Sequence, residues 1–185
     1  MKNKKILFIT QGAMIAALYV VLTYAANFLG LASGQIQVRI SEALTVLPFF
    51  TAAAVPGLFL GCLLANFLTG APWPDVVFGS MATLIGAFLT YAIGLWARRL
   101  SAEKKAGNAP ATDESGWSYK RIRWLAPLPP IAVNAVIIPF VLLYAYGVIP
   151  LWLSFVTVAI GQIISCGVLG MGLLLALEKR KGIFG

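Results

Sequence analysis

The chain has 185 residues, 60% of them hydrophobic and only 11% charged, with a mean hydropathy of +0.89. A soluble domain carries about 25% charged residues, and the 14 basic and six acidic side chains here cannot cover a water-facing surface. An ordinary soluble fold is excluded, and lipid is the solvent for most of the chain.

The first apolar tract, Ile6 to Leu31, is interrupted only by Thr10, Gln11, Thr23 and Asn27. A membrane-spanning helix needs about 20 such residues. The tract is too long for the core of a cleavable signal peptide, so it is expected to stay despite the basic MKNKK before it. A second tract, Ile40 to Thr69, is too long for one ordinary span, and Val55-Pro56-Gly57 puts turn chemistry at its midpoint. Residues 76–97 form the next span. Residues 98–123 are rich in Ala, Ser, Gly and charge without apolar periodicity, and read as a flexible connector with room for a short surface helix. Residues 124–146 and 151–177 follow as spans, separated by Gly147 and Pro150.

Charge decides how the second tract is counted. Thirteen of the 14 basic residues fall at the amino terminus, in the connector or at the carboxyl end; Arg39 is the exception. The positive-inside tendency places all three clusters in the cytoplasm, which requires an even number of spans before the connector. Reading 40–55 and 57–69 as a hairpin bent at Pro56-Gly57 meets that requirement. The expected fold is an all-α integral membrane protein, a single membrane domain over 1–185 with six transmembrane helices and both termini cytoplasmic. Residues 31–39, 70–75 and 147–150 then face outward. No internal repeat is evident, which weakens a carrier built from inverted halves. Because the positive charge is a topology signal, it gives no support to nucleic acid as a partner.

An ionisable residue inside a membrane is costly and needs a reason. Setting aside the connector and the basic tail leaves Arg39, Glu42 and Asp75, all mapping to the outer side. Arg39 and Glu42 stand three apart at the start of the second span, with Ser41 between them as a candidate cap. In one reading they pair with each other near the headgroups. In the other they line an outward cavity, Glu42 accepting two parallel hydrogen bonds from an N–H/NH₂ edge and Arg39 donating to a carbonyl or anion. Asp75 ends GAPWPD, where Trp73 stands between two prolines. That segment is either an interfacial anchor or a lid in which Trp73 stacks on a flat ligand and Asp75 meets a cation. Trp152, beside the third outer loop, is equally open. Asn66, Asn134 and Gln162 are suited to interhelical hydrogen bonds or to ligand contact; Asn27 and Gln37 are less informative.

Gly12, Ala13, Ala16 and Ala17 give two overlapping small-xxx-small pairs, and Gly57, Gly61 and Ala65 repeat that spacing. Such faces permit close helix approach, within the chain or to a partner. There is no histidine, no phosphate-binding G-x-x-x-x-G-K-[ST] loop, and no H-E-x-x-H or G-x-S-x-G pattern. Cys62 and Cys166 lie in apolar runs, which supports neither a disulfide framework nor a zinc site. No catalytic residue, metal or cofactor is expected.

The stretches QVRISEALTVLPFF (37–50) and PGLFLGCLLAN (56–66), with APLPPIAVNA (126–135) and LLLALEK (173–179), resemble the queuosine-precursor transporter family, QueT. The resemblance implies the substrate-binding S component of an energy-coupling factor (ECF) importer, with six helices. Such a protein captures a micronutrient from outside and works with a transmembrane coupling subunit and two cytoplasmic ATPases. The implied ligand is a deazaguanine base, the aminomethyl precursor of queuosine or a related form. Its N–H/NH₂ edge suits Glu42, its carbonyl Arg39, Asn134 or Gln162, its ring Trp73 and its aminomethyl cation Asp75. The family's A-x-x-x-A contact with the coupling subunit corresponds to Ala13 and Ala17. The family often has an acidic residue at the position of Gln162; glutamine there is either an altered ligand preference or a neutral exchange. Alternatives are an S component for another vitamin or purine-like nutrient, a membrane-embedded enzyme acting on a lipid or peptide, and an assembly protein recruiting other helices.

Overall fold

The computed structural model describes residues 3–30, 39–105 and 118–179, and these are almost entirely helical. Helix α1 (Lys4–Phe28) starts where Asn3 accepts a hydrogen bond from the Lys5 amide at 3.3 Å. Its buried residues, Gly12, Ile15, Tyr19, Thr23 and Ala26, recur every three or four positions and so share one face. The opposite side exposes Ile9, Met14, Leu18 and Val21. A helix that is apolar all round, with large apolar side chains left uncovered, belongs in lipid.

Four helical runs are long and apolar enough to cross a membrane: Lys4–Phe28, Asp75–Glu103, Tyr119–Tyr146 and Leu151–Lys179. Two shorter apolar helices lie between the first two, a 3-10 helix at Ile40–Phe49 and α2 at Ala54–Leu68. At about 2 Å of rise per residue the 3-10 helix reaches roughly 20 Å, and α2 roughly 22 Å. Each falls short of a hydrocarbon core of about 30 Å. The described residues thus form an integral membrane protein with four helices long enough to span and two shorter apolar helices where the expected hairpin of spans was placed.

The break in the middle tract differs from the expectation. The chain turns at residues 50–53, where Phe50 and Thr51 donate to the Leu47 carbonyl and Ala54 donates to Thr51. Pro56 lies in the first turn of α2, where its missing N–H is no loss. Gly57 serves packing instead: a Cβ there would come within 2.7 Å of the Gly12 carbonyl oxygen and 3.2 Å of its Cα. Gly61 lies equally close to Ala16. The inner small-residue pair of α1, Gly12 and Ala16, thus packs against α2, and Ala13 and Ala17 are left exposed.

Helix α3 (Ser80–Lys105) follows a π-helical turn at Asp75–Gly79 and continues past residue 97 into the expected connector. The short helix α4 (Tyr119–Ile122) and a 3-10 turn at Arg123–Leu125 lead into α5 (Leu128–Tyr146). The last run consists of α6 (Leu151–Gln162), a π-helical stretch at Ile163–Gly170, and α7 (Met171–Lys179).

The 3-10 helix is the centre of the bundle: Ser41 to Phe49 are all buried. Backbone that departs from the α-helix is tolerated at membrane depth only when protein covers it, and here α1, α2, α3, α7 and the second π-helical stretch do so. At one end, Phe49 packs with Ala97, Ile122, Ala126, Met171 and Leu174, and its carbonyl accepts a hydrogen bond from Arg98. Arg123 and Glu178 close that end with an ion pair at 2.6 Å. The other end presents Arg39 and Glu42.

Candidate functional site

Glu42 sits in the first turn of the 3-10 helix and is 2% exposed. Its Oε1 accepts the Tyr19 hydroxyl from α1, and its Oε2 accepts Asn134 Nδ2 from α5 at 3.4 Å. Both donors are neutral. Among the described residues, the ion pair of Arg39 is with Asp75, at 3.3 Å, not with Glu42. Arg39 also donates to Asn66 Oδ1 at 3.4 Å. Asp75 Oδ2 accepts in addition from the Tyr146 hydroxyl at 3.3 Å, and Asn66 Nδ2 donates to the Asp75 carbonyl at the same distance. Gly79 makes room for this group, because a Cβ there would lie 2.9 Å from Asp75 Oδ1 and 3.3 Å from Asn66 Nδ2.

Thiols and hydroxyls pack around the carboxylate. Cys166 donates to Gln162 Oε1 at 3.1 Å and to the Glu42 carbonyl at 3.4 Å. Thr45 bonds the same carbonyl at 2.6 Å, and Thr83 donates to Cys62 at 3.4 Å. Thr23 donates to Ser41 at 2.9 Å, joining α1 to the first turn of the 3-10 helix. Both π-helical stretches border this region, one through Asp75 and Gly79 and the other through Cys166; such local unwinding is common at functional sites.

Two cavities meet here, and Arg39 lines both. A narrow cavity of about 20 Å³ is lined by Arg39, Glu42, Thr83, Asn134, Val158 and Gln162, with Gly79 and Ile138. A wide cleft of about 320 Å³ is lined by polar Asn27, Arg39, Asn66, Asp75 and Tyr146 together with the Gly70–Pro72 turn. The narrow cavity holds the greater density of hydrogen-bonding groups but has room for about one water. It must widen to admit a larger molecule.

Of the residues singled out from sequence, the fold brings together Arg39, Glu42, Asp75, Asn66, Asn134 and Gln162. It does not bring in the tryptophans. Trp73 is 70% exposed and packs against Phe67 with the rings tilted at 54° and their centroids 6.2 Å apart, and Trp152 is 66% exposed. Neither lines either of these two cavities. Gln37 lies outside the described residues. Tyr19, Thr83 and Tyr146 were missed. Tyr19 was within reach, since it falls on the one face of α1 that also holds Gly12 and Thr23.

Chemically, Glu42 offers acceptor positions beyond the two already used, a match for paired N–H donors on a flat ring. Arg39 supplies donors, while Asn134, Gln162 and Thr83 can act either way. Among the described residues, no group of three His, Cys, Asp or Glu side chains gathers to hold a metal ion.

The QueT transporter family matches residues 9–179. The chain belongs to that family. A relative from Lactococcus lactis subsp. cremoris (strain MG1363), described as queuosine precursor transporter QueT, is 37% identical over 98 residues. That match covers 53% of this chain and 56% of the relative, so the chain spans little more than half the length of the curated protein it matches. No solved structure matches.

Proposed function

We propose that this QueT family member captures a queuosine precursor, an aminomethyl-deazaguanine or related deazapurine, from outside the cell. The observation behind this reading is Glu42: a buried carboxylate, held by two neutral donors, that lines a cavity with Arg39, Asn134 and Gln162. A guanine-like N–H/NH₂ edge is the complement of a carboxylate, and its carbonyl is the complement of Arg39 or an amide. Family membership and the 37% identical relative support the same ligand class.

In this reading the chain is the S component of an ECF-type importer in the plasma membrane of a prokaryote. The two short helices complete six spans, and both termini are cytoplasmic. The transmembrane coupling subunit docks on α1 at Ala13 and Ala17, whose pair is left exposed while Gly12 and Ala16 pack against α2. Two cytoplasmic ATPases supply the energy. Trp73, Asp75 and Trp152 belong to the outer surround of the site, and the tryptophans reach the ligand only after movement.

Calorimetry on the purified full chain, with aminomethyl-deazaguanine, guanine and a panel of vitamins, tests the ligand. Deazaguanine binding that weakens at least about tenfold in Glu42→Gln, equivalent to about 1.4 kcal/mol, is the expected result. Unchanged affinity in that variant removes Glu42 from the site, and affinity for a vitamin alone replaces the ligand class.

A further inference from the structure

Arg39 is shared by two cavities of very different size. The narrow one holds the Glu42 carboxylate; the wide one is bordered by the Gly70–Pro72 turn and Tyr146. The contacts that place Arg39 between them are few and long: 3.3 Å to Asp75 and 3.4 Å to Asn66. The Asp75 oxygen that receives Arg39 is shared with the Tyr146 hydroxyl. Its side chain keeps 23% of its surface exposed, against 6% for Asp75. An ion pair of this kind can be exchanged for an incoming polar molecule at modest cost, because the molecule can replace the hydrogen bonds it breaks.

We infer that the wide cleft is an encounter subsite for a small polar, hydrogen-bonding solute, and that the Arg39–Asp75 pair is the removable partition between it and the Glu42 cavity. The solute first meets Asn27, Asn66, Asp75 and Tyr146. Arg39 then leaves Asp75, the two volumes join, and the ring edge reaches Glu42. This sequence accounts for a cavity that has the best recognition groups and room for only about one water. The inference rests on the Glu42 cavity being the ligand's destination, but its test needs no ligand.

The test is thiol modification of the purified full chain by a small uncharged methanethiosulfonate. Ala71→Cys reports on the wide cleft and Val158→Cys on the narrow cavity, with Ile138→Cys as the substitute if Val158→Cys does not fold. Rates are taken over the background of the parent chain, whose Cys62 and Cys166 are both buried. The cleft cysteine is expected to react at least about tenfold faster than the cavity cysteine. Adding Asp75→Asn, which keeps shape but removes the charge that holds Arg39, is expected to speed the cavity cysteine about tenfold and leave the cleft cysteine unchanged. Equal rates at the two positions without Asp75→Asn overturn the partition. So does a slow cavity rate that Asp75→Asn leaves unmoved. Neither outcome depends on whether deazaguanines bind, so the partition and the ligand assignment fail separately.

Discussion

The Tyr19 hydroxyl on α1 donates to the Glu42 carboxylate at the start of the 3-10 helix, 23 residues later in the chain. The two groups are almost wholly buried, and the bond ties α1 to the enclosed 3-10 helix at the centre of the bundle. Tyr19→Phe leaves one carboxylate oxygen without this donor and keeps the ring's packing. A buried acceptor that loses its partner costs about 1–3 kcal/mol. Thermal unfolding of the detergent-solubilised protein should therefore move to lower temperature, and deazaguanine affinity should change alongside it. An unmoved midpoint together with unmoved affinity would show that the bond matters to neither.

Close contact between α1 and α2 depends on the absence of a side chain at Gly57. Gly57→Val places atoms where the Gly12 backbone already lies. Overpacking of this kind costs about 1–3 kcal/mol or forces the helices apart. The expected readout is a lower unfolding midpoint, partly recovered by no change at Ala13 or Ala17, since those positions are on the exposed side of α1.

At the far end of the bundle, Arg123 and Glu178 are about four-fifths buried and pair at 2.6 Å, while Arg123 Nε and Glu178 Oε1 find no hydrogen-bond partner among the described residues. Removing one member strands the other. Arg123→Met or Glu178→Met alone should destabilise by about 1–3 kcal/mol, below the 3–5 kcal/mol seen for fully buried pairs. The double variant should be more stable than the sum of the singles implies. A double-mutant cycle on unfolding midpoints measures the coupling, and simple additivity would show the pair to be idle.

Ser165 makes the opposite case. Its hydroxyl, in the second π-helical stretch, is buried and has no hydrogen-bond partner among the described residues. Ser165→Ala removes a desolvated polar atom with little change in volume. Stability should stay the same or rise, and a clear fall in the unfolding midpoint would reveal a partner for the hydroxyl.

How legible the site was in the sequence depended on the residue type. Arg39, Glu42 and Asp75 stand out because charge is rare and expensive in an apolar tract. Asn134 and Gln162 stand out for a milder version of the same reason. Tyr19 did not, because its ring counts as apolar and its hydroxyl gains meaning only when Glu42 is set opposite it. The tryptophans stayed ambiguous: an indole at a membrane boundary reads alike as anchor or as stacking platform, and spacing cannot separate the two. The position of the bend was hidden by Pro56, which signals a turn and the first turn of a helix equally well. The actual turn is held by Thr51, which donates to Gln11 at 3.1 Å and accepts from the Ala53 amide at 3.3 Å. That long-range contact has no local signature. A 3-10 helix of ten residues was equally illegible, because its stability comes from what surrounds it.

That enclosure bears on how the molecule is assembled. An α-helix satisfies its own backbone and can wait in lipid for its partners. A 3-10 segment that depends on surrounding protein for cover, with Arg39 and Glu42 at its start, cannot. It has to enter beside α1 and α2 and reach its place when α3 and the carboxyl-terminal helices close around it. The candidate site around Glu42 is then among the last parts of the chain to be completed during biogenesis. Newly inserted protein arrested before α5 joins should contain well-formed outer helices and no recognition site.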